Sequence, residues 1–107
     1  MTEQQIVPEE VDLDKEDIYR LRLYVTGATP NSSRAISNLK ELCESYLKGK
    51  YELEIIDVYQ QPLVAKAEQI IALPMLIKKY PLPERRLIGD LSNKTKVLKG
   101  LSLAEKK

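Results

Sequence analysis

Apolar and polar residues alternate from Tyr19 to Val25: Tyr19, Leu21, Leu23 and Val25 fall on one side and Arg20, Arg22 and Tyr24 on the other. That period of two predicts a strand with one buried face. Gly27 supplies a flexible backbone, and Thr29-Pro30 fits a helix N-cap followed by a first helical residue whose missing N–H costs nothing. Ala35, Ile36, Leu39, Leu42, Cys43, Tyr46 and Leu47 then recur at three- and four-residue steps, and Gly49 follows as a stop. The pattern predicts a strand feeding an amphipathic helix across a tight turn.

The alternation returns at Tyr51, Leu53 and Ile55 and runs on through Val58, so residues 51–58 read as a second strand. Strand, helix and strand in this order predict a parallel crossover. Pro62 opens a shorter helical stripe of Leu63, Val64, Ala67, Ile70 and Ile71. Leu73-Pro74-Met75-Leu76-Ile77 can form a third strand if its proline sits at an edge or at the strand start, because proline lacks the N–H a central ladder needs. Tyr80-Pro81-Leu82-Pro83 reads as a rigid turn, and Arg85 to Ile88 as a short strand stopped by Gly89 and Asp90. Asp90 or Ser92 is placed to cap a last helix with Leu91, Val97, Leu98 and Leu101 on one side and Lys94, Lys96 and Lys99 on the other. The predicted order is βαβαββα, an α/β class.

A chain of 107 residues is long enough for one domain with a core of its own. Its apolar runs fall far short of the roughly 18 residues a membrane span needs, and its N-terminus is acidic, so a cytoplasmic protein with no membrane contact is expected. Charge is segregated. Residues 1–17 carry seven acidic side chains against Lys15, a net −6, which leaves +7 for residues 18–107 in a chain of +1. This extension is expected to be disordered or loosely docked, with shielding of a basic face as its one functional possibility. Residues 18–103 form the expected domain, and residues 104–107 a short basic tail.

The chain has no histidine and a single cysteine, so the common zinc sites, Ser-His and Cys-His nucleophile systems and a dithiol redox pair are all closed to it. No metal site, cofactor or catalytic residue is expected. Its four glycines, at 27, 49, 89 and 100, are too dispersed for a phosphate-cradling loop. Cys43 lies on the apolar stripe and is expected to pack as a thiol. A nucleic-acid role for the basic part is disfavoured, since no aromatic residue interleaves with the lysines of the last helix.

The element order, with a turn leading into the first helix and a proline ahead of the third strand, resembles a thioredoxin-like fold. The positions matching its two redox cysteines are Thr29 and Ser32, with Pro74 opposite, and neither hydroxyl can exchange disulfides. A thioredoxin-like enzyme or adaptor with a non-thiol site is therefore an alternative reading. A closer resemblance is carried by the blocks 23–35 (Leu-Tyr-Val-Thr-Gly-Ala-Thr-Pro-Asn-Ser-Ser-Arg-Ala), Ile56-Asp57-Val58, Ala72-Leu73-Pro74 and 85–92 (Arg-Arg-Leu-Ile-Gly-Asp-Leu-Ser). These blocks resemble the KaiB family over about residues 18–103.

That resemblance implies a non-catalytic regulator that docks on the first ATPase domain of the KaiC hexamer and modulates its phosphorylation, in a circadian, timing or stress pathway. KaiA or a clock histidine kinase is a further implied partner. It also implies a metamorphic protein: a thioredoxin-like βαβαββα monomer competent to bind, and an alternative βαββααβ ground state that self-associates as a dimer or homotetramer. The implied contact residues are Arg22, Arg34, Lys78, Arg85 and Arg86, all cationic and suited to an acidic surface. The implied switch residues are Gly89, Asp90, Gly100 and Ser102, and alanine at Gly100 is expected to favour whichever fold is helical there. Two departures bear on this: Ser102 stands where family members commonly have Asp, and Gln69 where they commonly have Lys.

Overall fold

The computed structural model describes residues 18–70 and 72–103; the acidic extension, Ile71 and the basic tail lie outside them. The elements are β1 (Tyr19–Val25), α1 (Pro30–Tyr46), β2 (Tyr51–Asp57), α2 (Pro62–Ala67), β3 (Met75–Tyr80), β4 (Arg85–Ile88) and α3 (Lys94–Gly100). This is the predicted βαβαββα order. The sheet runs β2-β1-β3-β4, with β1 parallel to β2 and antiparallel to β3, and β3 antiparallel to β4. The topology is thioredoxin-like.

One face of the sheet holds the main core, in which Leu21, Leu23 and Val25 of β1 pack with Ala35, Leu39 and Cys43 of α1, Leu76 of β3 and Val97 and Leu98 of α3. Cys43 is fully buried there, and burial pushes its thiol up to about 12. The opposite face is not simply polar. Tyr24 is completely buried on it with Ile56, Met75 and Ile77, beneath Val64 and Ala65 of α2. The expectation of one buried face for β1 is thus corrected: α2 covers the C-terminal half of the second face, while Arg20 and Arg22 occupy its open half.

Thr29 caps α1 as predicted, its hydroxyl accepting the Ser32 N–H at 3.2 Å with Pro30 at the first helical position. The cap of α3 is Asn93, accepting from the Lys96 N–H at 3.1 Å, rather than Asp90 or Ser92. Asp90 is engaged elsewhere. β3 lies inside the sheet, so the strand-start alternative for Pro74 holds and the edge alternative does not; its carbonyl accepts from the Gly89 N–H at 3.0 Å.

α2 stops at Ala67, short of the predicted stripe, because Gln69 takes a left-handed conformation at φ 58°. The Gln69 N–H then reaches the Lys66 carbonyl and the Ile70 N–H the Ala65 carbonyl, the paired bonds of a Schellman stop. Leu63, expected on the buried stripe, is 79% exposed. α3 ends the same way, with Ser102 at φ 61° bonding to Lys99 and Leu103 to Leu98. Gln69 and Ser102 therefore both stand at left-handed helix stops.

Gly100 closes α3 against Leu87 of β4. A Cβ added there would lie 2.7 Å from both Leu87 methyls, so alanine gains its helix propensity only if the half-buried Leu87 side chain shifts to admit it.

Candidate functional site

The turn between β1 and α1 carries the residues at the thiol positions. Ser32 is fully buried and its Oγ accepts the Thr26 N–H at 3.0 Å, while Thr26 Oγ1 lies 3.4 Å from both the Thr29 and Ser32 hydroxyls. Thr29, Pro30, Leu73 and Pro74 line a shallow depression beside them, with the Leu73-Pro74 peptide cis. The hydroxyls at the two thiol positions are committed to closing the turn and capping the helix. No base stands beside either of them in the described hydrogen bonds.

The cationic residues singled out from sequence do not form one patch. Arg22 and Arg86 lie on the α2 side of the sheet and converge on Glu68, which sequence reasoning missed. Arg86 Nη2 donates to the Glu68 carbonyl at 2.8 Å and approaches its carboxylate at 3.4 Å, Lys79 Nζ donates to that carboxylate at 2.8 Å, and Arg22 lies 3.6 Å away. Lys79 and these arginines hold the Glu68 carboxyl below its ordinary value, with the Lys79 hydrogen bond the largest cause. Glu54 completes the cluster at 3.2 Å from Arg22, and Glu84 lies 3.8 Å from both Lys79 and Arg86. One carboxylate thereby ties the end of α2 to β1, β3 and β4.

Arg34, at the start of α1, pairs with Asp90 at 3.2 Å and also contacts Asn31 Oδ1. Asn38 donates to the Asp90 carbonyl at 2.9 Å, and the Asp90 carboxylate accepts the Ser92 N–H at 3.0 Å. The bonds from Ser92 and then Arg34 hold the Asp90 carboxyl below its usual range. A predicted contact residue and a predicted switch residue thus share one ion pair, which fastens the β4–α3 loop to α1.

Lys78 and Arg85 oppose each other in the β3–β4 ladder. Arg85 is exposed, whereas Lys78 is 1% exposed among the core-facing side chains, and burial followed by the Arg85 charge lowers its ammonium pKa. Almost the whole of its side chain is covered in this conformation. Arg85 has no acidic partner within ion-pair distance among the described residues. Gly89 sits at φ 117°, a conformation only glycine adopts without strain. No group of acidic, histidine or cysteine side chains suited to a metal occurs among the described residues, and none of their helices is long and apolar enough to cross a membrane.

A mixed sheet flanked by three helices, with a capped turn and a cis-proline where a redox pair would stand, defines a protein of the thioredoxin-like class whose thiol positions are hydroxyls. Its solved likenesses agree. Mitochondrial thioredoxin 3 of Saccharomyces cerevisiae superposes with a TM-score of 0.66 at 20% identity, over 90% of this chain and 88% of that one. The N-terminal domain of Synechococcus elongatus SasA gives 0.65 at 22% identity, over 85% and 90%. At these identities the likeness concerns the fold. The sequence goes further: residues 22–103 match the KaiB domain, and the chain belongs to the KaiB family. The circadian clock oscillator protein KaiB of Prochlorococcus marinus subsp. pastoris is 54% identical to it over 85 residues, 79% of each chain.

Proposed function

We propose that this chain is a non-catalytic clock regulator that, in its thioredoxin-like state, docks on the first ATPase domain of a KaiC hexamer and biases its phosphorylation. The observation that carries the reading is the pairing of family membership over residues 22–103 with a turn in which the Thr29 and Ser32 hydroxyls both accept backbone N–H groups. Such a turn leaves a rigid docking scaffold without a nucleophile. Arg85 is the foremost contact residue, being exposed and free of an acidic partner among the described residues, and Arg22, Arg34 and Arg86 contribute by exchanging internal carboxylates for those of the partner. Lys78 enters only if β3 and β4 rearrange. KaiA or a clock histidine kinase would act on the same assembly, and the βαββααβ form would store the chain as a dimer or tetramer.

The test is to incubate the full chain with its own KaiC and ATP and follow complex formation by native mass spectrometry. The expected result is an ATP-dependent complex that Arg85→Glu weakens about tenfold, as loss of one well-placed charge contact does. Thr29→Ala should leave binding within about twofold once its small stability loss is allowed for. No complex after prolonged incubation overturns the reading, and turnover of a disulfide or transferase substrate that Ser32→Ala abolishes would replace it with an enzyme.

A further inference from the structure

β4 is an edge strand, and among the described residues nothing pairs with its outer side. The Gly89 N–H bonds to the Pro74 carbonyl, so with Leu76 opposite Leu87 and Lys78 opposite Arg85, the antiparallel alternation turns the N–H and C=O groups of Leu87 and Arg85 inward. Those of Arg86 and Ile88 therefore point outward. The Ile88 side chain is 61% exposed, and beside this edge a groove of about 370 Å³ runs between β4 and α3, floored by Leu87, Leu91 and Val97 with Lys96 on its rim. An unprotected edge of this kind is a template for another strand.

The chain carries a segment that fits it. Glu10-Val11-Asp12-Leu13 alternates acidic and apolar residues, so as a strand it presents Val11 and Leu13 to one face and Glu10 and Asp12 to the other. Pro8 lies just ahead and would end such a ladder. The segment precedes β1, which is parallel to β4, and reaching the far side of β4 means crossing three strand spacings of about 4.8 Å, roughly 14 Å. Residues 14–18 span up to about 17 Å when extended, enough for that path. Entering from the end where β1 and β4 both begin, the segment would run antiparallel to β4. Charge selects between the two edges of the sheet. The other edge strand, β2, carries Glu52, Glu54 and Asp57, which would repel an acidic strand, whereas β4 carries Arg85 and Arg86.

We propose that residues 10–13 of the same chain add to the outer edge of β4 as a fifth, antiparallel strand, with Val11 and Leu13 over the β4–α3 groove and the acidic side chains beside Arg86. The pairing stands without the function proposed above; where both hold, an acidic partner reaching Arg85 and Arg86 must first displace the chain's own segment.

The measurement is site-resolved amide hydrogen exchange on the full chain without any partner, compared with Asp12→Pro, which removes one of the N–H donors that the pairing would turn toward β4. The Arg86 and Ile88 amides should exchange about tenfold more slowly in the parent chain than in the variant, while the inward Leu87 amide is unchanged. Equal rates at Arg86 and Ile88 in the two proteins overturn the proposal. So does protection that grows with protein concentration, which would assign the strand to a second copy. As an independent reading, a spin label on Asp12→Cys, selective because Cys43 is buried, should broaden the Ile88 amide; broadening of Glu54 on the β2 edge in its place overturns the assignment.

Discussion

At Gly100 the missing side chain is what lets α3 lie against β4. Alanine would gain up to about 1 kcal/mol of helix propensity, less at a terminal position, but its Cβ would sit 2.7 Å from the Leu87 methyls. Overpacking of this kind costs about 1–3 kcal/mol, so Gly100→Ala is expected to destabilise the thioredoxin-like form by about 1 kcal/mol. Chemical denaturation of the single and double variants checks it: on a Leu87→Ala background the same change should become neutral or stabilising. Ser102 presents the opposite case. It holds φ 61° at a Schellman stop, a conformation that costs an ordinary L residue about 1 kcal/mol. Ser102→Gly should raise the denaturation midpoint by up to about 1 kcal/mol of stability, and Ser102→Val should lower it. Lys78 adds a pH signature. Its folded pKa lies below the unfolded value near 10.5, so the folded state holds the proton less tightly and stability rises as pH climbs from the folded pKa to that value. Lys78→Met should be more stable than the parent at neutral pH, with the difference fading above pH 10.5 in pH-dependent thermal melts.

At the scale of elements, Glu68 fastens α2 to three strands. Glu68→Gln keeps the shape but removes the charge that Arg22, Lys79 and Arg86 share, and should cost about 1 kcal/mol at neutral pH and speed amide exchange around residues 68–70. Since the Glu68 carboxyl titrates below its ordinary value of 4.5, its contribution is complete above that value and is lost as pH falls through the lowered one. Parent and variant should therefore converge in stability under acid. This clamp was invisible in the sequence because its members come from β1, α2, β3 and β4, and no local spacing joins them. What was legible was local: the alternation of β1, the Thr29-Pro30 start of α1 and its long stripe all specify one answer. Tyr24 was misplaced because a strand buried on both faces at one end looks half-polar when tyrosine is counted with the arginines. The end of α2 was misplaced because its apolar residues continue past Gln69, where the backbone turns left-handed. Among the site residues, Thr29 and Ser32 could be set at the turn from spacing alone, whereas the burial of Lys78 depends on which face β3 turns toward α1 and α3.

At the scale of the whole molecule, one apolar core runs through both halves, joining β1 and α1 to Leu76 of β3 and to Val97 and Leu98 of α3. The β4–α3 loop is tied to α1 in addition through the polar contacts of Arg34 and Asn38 with Asp90, beside the buried Leu91. A surface-accessible ion pair contributes little, about 0–1 kcal/mol, yet it sits where the C-terminal half must detach if that half is to repack. Two packings can exchange only when they differ by a few kcal/mol, so even a small term shifts their populations severalfold. Arg34→Ala is accordingly expected to lower the stability of the thioredoxin-like form by no more than about 1 kcal/mol while raising amide exchange from Gly89 to Leu103 well above that of α1. Uniform acceleration across both halves would mean that the domain opens as one unit and that the Arg34–Asp90 pair is not the point at which the C-terminal half separates. Asp90→Asn separates charge from geometry: it can retain the Ser92 and Asn38 bonds while losing the ionic attraction, so an effect equal to that of Arg34→Ala would assign the fastening to the charge pair itself.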